Sequence, residues 1–279
     1  MSEKPPTPVI DAHLHVWGSP FPNRPFPWTP DPFPIEDLLT VLDRHGVSSC
    51  VDVTPIMYDW DNSYGLQVTS DYPSRLRIFG RFDPFAPEPA ERLRKWMANS
   101  GVAGVRLTFY GDDLRRLDDP SALEPFWSAA EELGVRVAVF APDALWKIVA
   151  VIEQHPKLRL VIDHLGLGVY PGCENPYANF VALLEFAPFP QVLVKISGAV
   201  EVSRDRYPYK DVQEIIGLAR TTFGANRLMW GSNYPVLLST CSYEQSLAFV
   251  DECTFDTDER IAVLGGTCQR MLAESEKSL

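Results

Sequence analysis

The sequence lacks several features that would place it in other classes of protein. It has no run of 18 uninterrupted apolar residues and no apolar core near its start, so we expect neither a membrane span nor a secretory signal. Its five cysteines show no short paired spacing, which predicts reduced thiols rather than a disulfide framework or a zinc knuckle. Basic residues are few, 25 against 37 acidic ones, which disfavours nucleic acid or an anionic membrane as a partner. We expect a cytoplasmic protein that acts on a small molecule, and a homo-oligomer is left open.

Short apolar segments alternate with helix-like segments along the whole chain. Eight apolar segments predict strands, at 9–17, 48–54, 76–82, 102–109, 136–141, 158–165, 192–197 and 227–233. Eight strand-and-helix units in 279 residues are the count of a (β/α)8 barrel. A doubly wound open sheet is the competing fold, but no Gly-x-Gly-x-x-Gly loop follows the first strand. We therefore expect an α/β fold, a single TIM-type barrel domain over residues 1–279, with its active site at the C-terminal strand ends.

Two segments fall outside this alternation. Residues 1–8 form an N-terminal tail, and residues 18–34 carry seven prolines with aromatic residues between them. Proline at this density excludes a helix and favours an extended loop. Such a segment could be a disordered linker, but its aromatic residues favour a packed loop over the mouth of the barrel.

Polar side chains collect where the predicted strands end. His13 and His15 lie two residues apart on the first strand, and the period of a strand places both on one face with Asp11. Such a pair can coordinate a metal or bind a substrate oxygen, or it can be hydrogen-bonded in a polar core. The polar residues at the ends of the later strands are Arg106, Thr108, His164, Lys195, Ser197 and Asn233.

Four motifs at these strand ends resemble those of the amidohydrolase superfamily. They are Asp-Ala-His-Leu-His-Val-Trp (11–17), Ile-Asp-His-Leu-Gly (162–166), Val-Lys-Ile-Ser-Gly (194–198) and Met-Trp-Gly-Ser-Asn-Tyr-Pro (229–235). The chain is most similar to the branch that includes 2-pyrone-4,6-dicarboxylate lactonase and sugar lactonases, from residue 9 to about residue 272. This resemblance implies a distorted (β/α)8 barrel and hydrolysis of lactones or amides, with decarboxylation in one zinc-dependent arm.

The resemblance also implies roles for single residues, and two departures limit them. His13 and His15 match the family's strand-one pair, and His164 matches its strand-six histidine. Asn233 stands where most catalytically characterised members have the aspartate that takes a proton from water, and an amide cannot act as that base. The segment 136–141 contains no histidine, although metal-dependent relatives place a ligand there.

These departures bear on the metal. A zinc ion would have two protein ligands, His13 and His15, and a third only if His164 also binds it. Catalytic zinc normally has three protein ligands. We therefore expect no tightly bound metal and no other cofactor. The alternative is zinc or manganese held by His13, His15 and His164.

We therefore predict a hydrolase that opens a small lactone, either carboxylated or derived from a sugar. His13, His15 and Lys195 would polarise the ester carbonyl. Arg106 would bind a substrate carboxylate, although Arg106 and Lys195 could instead pair with strand-end aspartates. His164 is the first candidate base, and Asn233 would orient the water or the substrate. The other candidate bases are Asp52 and Asp83, and the other predicted substrate contacts are Trp17, Trp28, Tyr58, Thr108 and Ser197.

Two alternatives stay open. The three histidines would suit a zinc-dependent decarboxylase or related lyase of the same superfamily, which the missing strand-five histidine weakens. Asn233 would suit a member that has lost its hydrolytic base and binds a ligand or catalyses a cyclisation or isomerisation.

Overall fold

Eight parallel strands form the centre of the fold, and each strand pairs with its neighbours in chain order. The computed structural model describes residues 7–21 and 27–275, with only the backbone of residues 111–113. The strands are β1 (Ile10–Leu14), β2 (Ser49–Val53), β3 (Leu76–Arg81), β4 (Val102–Thr108), β5 (Arg136–Phe140), β6 (Arg159–Ile162), β7 (Leu193–Lys195) and β8 (Leu228–Met229).

Helices follow the strands and cover the outside of the sheet. They are α1 (Ile35–Arg44), α2 (Ser63–Asp71), α3 (Pro89–Met97), α4 (Pro120–Glu132), α5 (Leu145–Gln154), α6 (Phe180–Leu184), α7 (Lys210–Phe223), α8 (Tyr243–Glu252), α9 (Thr257–Ile261) and α10 (Thr267–Ser275). A π-helical turn, Ala262–Gly266, joins α9 to α10. No helix in the described part of the chain is long and apolar enough to cross a membrane.

The local sequence explains where two of the helices begin. Ser242 and Gln245 form a capping box at the start of α8, and Asp256 and Glu259 form another at α9. In each box a side-chain oxygen accepts a backbone N–H that has no partner within the first turn, which stabilises the helix end.

Hydrogen bonds between the first and last strands close the sheet into a barrel. The Ala12 N–H donates to the Trp230 carbonyl at 3.0 Å, and the Asn233 N–H donates to the His13 carbonyl at 2.8 Å. Leu14 and Tyr234 form a parallel bridge above them. The predicted barrel fold is confirmed. The observed strand β8 is shorter than the predicted segment 227–233.

A bulge in β1 corrects the predicted arrangement of its side chains. Asp11 is paired with Cys50 and Leu14 with Asp52, so two residues of β1 stand against one of β2. Asp11 therefore points outward, where it accepts hydrogen bonds from the His13 N–H at 3.1 Å and the Tyr243 hydroxyl at 3.0 Å. The prediction that Asp11 shares a face with His13 and His15 was wrong, because the bulge shifts the alternation by one residue.

Apolar side chains fill the lower half of the barrel. Inward-facing residues from seven strands meet two residues of α10, which closes the N-terminal end of the barrel. This cluster contains Ile10, Ala12, Val51, Val53, Phe79, Ala103, Ala138, Val161, Met229, Cys268 and Met271. The layer leaves the C-terminal half of the barrel to the polar side chains.

The described part of the proline-rich segment packs against the end of β1. Trp17 and Phe33 form an antiparallel bridge, and the rings of Phe21 and Phe33 contact that of Trp17. The Asp31 carboxylate accepts a hydrogen bond from the Trp17 indole N–H at 3.1 Å. Residues 1–6 of the predicted tail and 22–26 of the predicted loop lie outside the described residues.

A pair of glycine substitutions tests the close strand packing. A Cβ at Gly104 of β4 would lie 2.2 Å from the Arg136 carbonyl oxygen, so we expect Gly104→Ala to destabilise the fold by about 1–3 kcal/mol. Gly217, inside α7, has no atom within 4 Å of such a Cβ, and Gly217→Ala should stabilise by about 0.5–1 kcal/mol. Urea unfolding of both variants checks this, and equal midpoints would contradict it.

Candidate active site

A cavity of about 350 Å³ opens at the C-terminal ends of the strands. Its polar lining residues are His13, His15, Thr54, Arg106, Thr108, His164 and Asn233. Its apolar and aromatic lining residues are Trp17, Pro55, Ile56, Met57, Tyr110, Phe140, Val169, Tyr170, Pro171 and Val236. The cavity therefore combines a polar floor with walls that suit a small, partly apolar molecule.

A buried charge cluster lies beneath this floor. The Asp163 carboxylate lies 3.1 Å from Lys195 Nζ and 2.9 Å from Arg106 Nη1. His13 Nδ1 lies 3.4 Å from the same carboxylate and 3.3 Å from Lys195 Nζ. The two cations hold the pKa of Asp163 well below its usual range, although burial opposes this. One carboxylate against two cations leaves a net positive charge under the cavity.

Lys195 does not reach the cavity that it was predicted to serve. Its side chain is wholly buried, beneath His13 and over the ring of Phe79, and it does not line the cavity. At this position Lys195 is placed to influence a ligand through its charge and through His13 but not by direct contact. The ion-pair alternative for Lys195 and Arg106 describes their observed contacts with Asp163.

Two buried polar atoms that line the cavity have no hydrogen-bond partner in the described part of the chain. They are His13 Nε2 and Thr54 Oγ1. Because such atoms are costly when left unpaired, a bound ligand or water oxygen is the expected partner. His13 Nε2 is thus a candidate contact for a substrate oxygen.

An unusual turn after β6 aims His164 at the cavity. His164 and Leu165 both have left-handed backbone angles, with φ of 55° and 56°, which end the strand at Ile162 instead of the predicted 165. Ser197 Oγ lies 2.9 Å from His164 Nδ1, and a Cβ at Gly198 would lie 2.7 Å from that nitrogen. Such strained backbone is typical of functional sites. Burial lowers the pKa of His164 to about 3, so the ring is neutral at neutral pH.

His15, Asn233 and Glu201 form a hydrogen-bonded row at the opposite side of the floor. His15 Nδ1 lies 2.7 Å from the Val53 carbonyl oxygen, and His15 Nε2 lies 3.1 Å from the Asn233 amide oxygen. The Asn233 amide nitrogen lies 2.8 Å from a Glu201 carboxyl oxygen. Burial lowers the pKa of His15 to about 4. Asn233 also has a left-handed backbone, with φ of 60°.

Arg106 keeps part of its guanidinium group for a ligand. Nη1 pairs with Asp163, and Nε donates to the Leu107 carbonyl at 3.2 Å. Nη2 makes no hydrogen bond within the described residues, and Arg106 lines the cavity beside Thr108. This arrangement lets Arg106 bind an anionic substrate group while it stays fixed by Asp163.

Several predicted site residues lie outside this cavity. Trp28 is 42% exposed and donates its indole N–H to the Val236 carbonyl, and Tyr58 bonds to Ser19. Ser197 contacts His164 and not the cavity. None of these three side chains lines the cavity, so their contact with a substrate stays a prediction, whereas Trp17 and Thr108 do line it.

The two further candidate bases also lie elsewhere. Asp52 faces outward, accepts the Val16 N–H at 3.2 Å and borders a separate cavity of about 260 Å³. Asp83 accepts the Phe85 N–H at 3.0 Å, as expected for a turn residue.

Sequence reasoning missed two carboxylates of the site. Asp163 lies in the motif at 162–166, but the prediction from that motif used only its histidine. Asp163 follows the inward-facing Val161 by two residues, and this strand period is the signal that could have identified it. Glu201 lies in a 3₁₀ turn, Ala199–Val202, after β7 and carries no periodic signal.

The donor set fits a tightly held zinc poorly. The ring centroids of His13 and His164 are 4.5 Å apart and those of His13 and His15 are 5.1 Å apart, so the spacing alone does not exclude a shared metal, and the poor fit follows from the partners of the rings. Both nitrogens of His15 already have partners, and Phe140 of β5 stands against His164 where a fifth-strand ligand would lie. No three histidine, cysteine or acidic side chains of the described chain converge on a metal position.

Comparison with known proteins identifies relatives of the whole barrel. The profile of the amidohydrolase family matches residues 10–273. A 4-sulfomuconolactone hydrolase of Rhizobium radiobacter is 31% identical over 234 residues, covering 81% of this chain and 75% of the relative. An L-fucono-1,5-lactonase of Burkholderia ambifaria is 30% identical over 277 residues, covering 92% of each. A crystal structure of a Burkholderia multivorans amidohydrolase with bound zinc has a TM-score of 0.78 at 24% identity, covering 95% of this chain and 99% of that one, and shows the same fold.

Removal of the Asp163 charge tests the cluster beneath the cavity. Asp163→Asn leaves Lys195 and Arg106 buried without their carboxylate, so we expect a loss of about 3–5 kcal/mol in the free energy of unfolding. The double variant Asp163→Asn/Lys195→Met removes one stranded cation and should recover at least roughly 1 kcal/mol of this. Urea unfolding measures both. A single variant as stable as the parent would show that the pairing contributes little.

Asp52 provides a test of stability against pH. Burial raises the pKa of Asp52 to about 8, whereas an unfolded chain has about 4 for this group. The folded state thus binds a proton that the unfolded state releases, and stability should fall as the pH rises from about 4 to 8. Asp52→Asn keeps an oxygen for the Val16 N–H and should make this decline shallower.

The partly exposed Asp83, which also accepts a backbone N–H, serves as the matched control through Asp83→Asn. Thermal unfolding midpoints across the pH range give the comparison. An unchanged slope in the Asp52 variant would show that this carboxyl is ionised in the folded protein at neutral pH.

Proposed function

Because the chain belongs to the amidohydrolase family and is a hydrolase, we propose that it opens a small carboxylated lactone without a tightly bound metal. The observation that carries this proposal is the Arg106 Nη2 group, which has no hydrogen-bond partner among the described residues and lies beside three histidines and over a net positive charge. Two relatives named as lactone hydrolases support the reaction class. The aromatic and apolar walls favour an unsaturated lactone over a polyhydroxylated sugar lactone.

We propose a separate binding group in the cavity for each part of the substrate. The substrate carboxylate would bind Arg106 and Thr108, and the ester carbonyl oxygen would accept a hydrogen bond from His13 Nε2. As water attacks, negative charge develops on this oxygen, and the net positive cluster of Asp163, Lys195 and Arg106 stabilises it. This stabilisation is strong because the cluster is buried and already ordered.

His164 would take the proton from the attacking water. Its Nδ1 is held by Ser197, and its Nε2 has no partner in the described part of the chain. The new C–O bond forms the tetrahedral intermediate, the ring C–O bond then breaks, and the leaving oxygen receives the proton from His164. The products are a hydroxyl group and a carboxylic acid, which releases its proton to solvent at neutral pH. The low pKa of His164 keeps the ring unprotonated near neutrality, so its charge state does not limit activity there, but it also makes the ring a weak base in the protein without substrate.

A lactone panel tests the proposal with Arg106→Lys as its variant. Lysine keeps a positive charge for Asp163 but lacks the planar guanidinium group that binds a carboxylate through two hydrogen bonds. KM for a carboxylated lactone should therefore rise roughly 10- to 100-fold. The matched neutral lactone should change little, which separates anion binding from general damage. Equal effects on the two substrates would remove Arg106 from substrate binding.

The same panel, run on protein purified without chelator, decides between the proposal and its alternatives. Metal content near one equivalent, with activity lost to chelator, would contradict the metal-free site. Carbon dioxide release from aromatic or enoic acids would favour the lyase. Hydrolysis that appears only in Asn233→Asp would show that the native chain has lost its base.

A further inference from the structure

The row of His15, Asn233 and Glu201 joins the substrate cavity to a second one. Asn233 lines the first cavity, and Glu201 borders a neighbouring cavity of about 360 Å³. The two cavities share the wall made by Val169, Tyr170, Pro171 and Val236. Within the described residues, the hydrogen bond that links Glu201 to the reaction site is the one with the Asn233 amide, at 2.8 Å.

The hydrogen-bond donors in this row decide which groups carry protons. The Val53 carbonyl can only accept, so His15 Nδ1 must donate to it over 2.7 Å. In a neutral His15 ring, Nε2 then carries a lone pair and needs a donor. An amide oxygen at 3.1 Å cannot supply one, whereas an amide NH₂ can.

The same reasoning fixes the other end of the amide. The two ends of an asparagine side chain have nearly the same shape, so its orientation follows from its partners. If Asn233 turns its NH₂ group to His15, its oxygen faces the Glu201 carboxyl group. Two oxygens at 2.8 Å form a hydrogen bond only when one of them carries a proton. All groups in the row are satisfied when Glu201 is a carboxylic acid.

We propose that Glu201 is a positioning residue of the hydrolytic site, which as a carboxylic acid donates to Asn233 and holds the Asn233 NH₂ group toward His15 and the substrate. One hydrogen of that NH₂ group binds His15 Nε2, and the second is available in the cavity for a substrate oxygen. This role rests on the proposed lactone hydrolysis. It gives Asn233 a function that the usual aspartate cannot perform, since a carboxylate has no N–H to donate.

The surroundings of Glu201 agree with a neutral carboxyl group. Burial raises the pKa of Glu201 to about 8. Asn233 is its hydrogen-bond partner, and the titratable groups around it are Cys241, whose pKa burial raises to about 11, and Tyr170 and Cys173 in the wall of the second cavity. No cationic side chain lines the second cavity within the described residues.

This arrangement predicts a limit to activity at alkaline pH. When Glu201 loses its proton, its carboxylate attracts the Asn233 NH₂ group, and the amide turns its oxygen toward the cavity. That oxygen repels the developing oxyanion, so kcat should fall as the pH rises through about 8. KM should change less, because the contact matters most in the transition state.

Two substitutions at Glu201 test the role with the full-length protein and the best lactone of the panel. Glu201→Ala leaves Asn233 unrestrained and should lower kcat on the order of 100-fold at neutral pH. In Glu201→Gln, the amide NH₂ group donates to Asn233 at every pH, so this variant should recover most of that loss and lack the alkaline decline. Glu185→Gln, at an exposed glutamate, is the control and should keep the parent profile. Loss of activity in Glu201→Gln at every pH would overturn the proposal and indicate a carboxylate base.

Infrared spectroscopy of the protein without substrate separates this proposal from the proposed function. The difference spectrum between the parent and Glu201→Gln should show one carboxylic acid band at neutral pH that disappears above about pH 8. The subtraction removes the bands of other buried carboxyl groups, such as Asp11 and Asp52. A carboxylate band alone at neutral pH overturns the proposal. If the acid band is present but no lactone is hydrolysed, the positioning role in hydrolysis falls together with the proposed function, and only the protonation of Glu201 stands.

Discussion

The Asp163 carboxylate, paired inside the barrel with Lys195 and Arg106, is the interaction on which the site depends. Burying three charges costs several kcal/mol for each ion, and only their mutual pairing offsets that cost. The pairing fixes Arg106 at the cavity floor and sets Lys195 beneath His13. Because two cations share one carboxylate, the floor is positive before any substrate arrives. The favourable surroundings for a developing oxyanion are therefore built into the folded core and require no rearrangement during the reaction.

The alternation of strands and helices could be predicted from sequence because each strand is apolar enough to be buried on both faces. The bulge in β1 could not be predicted in this way. It depends on the pairing of β1 with β2, and on the outward contacts of Asp11 with α8, neither of which a single strand's pattern contains. The position of His13 thus followed from sequence, but its neighbours did not.

Most side chains that end a strand could be predicted for the cavity, although Lys195 and Ser197 do not line it, and side chains on loops were less predictable. His13, His15, Arg106, His164 and Asn233 all line the cavity. Trp28 and Tyr58 lie on loops, whose direction depends on tertiary contacts. Glu201 was missed because its relation to Asn233 arises only when the turn after β7 packs beside the end of β8, 32 residues further along the chain.

The left-handed backbone at position 233 also restricts how this enzyme can diverge. Asparagine and aspartate adopt positive φ more readily than other residues with side chains, so these two are the replacements that leave the turn intact. An exchange between them converts a hydrogen-bond donor into a proton acceptor without moving the chain. Divergence at this position can therefore exchange an amide that donates a hydrogen bond for a carboxylate that accepts a proton, on the same backbone. The same exchange would change the hydrogen-bond partner of Glu201.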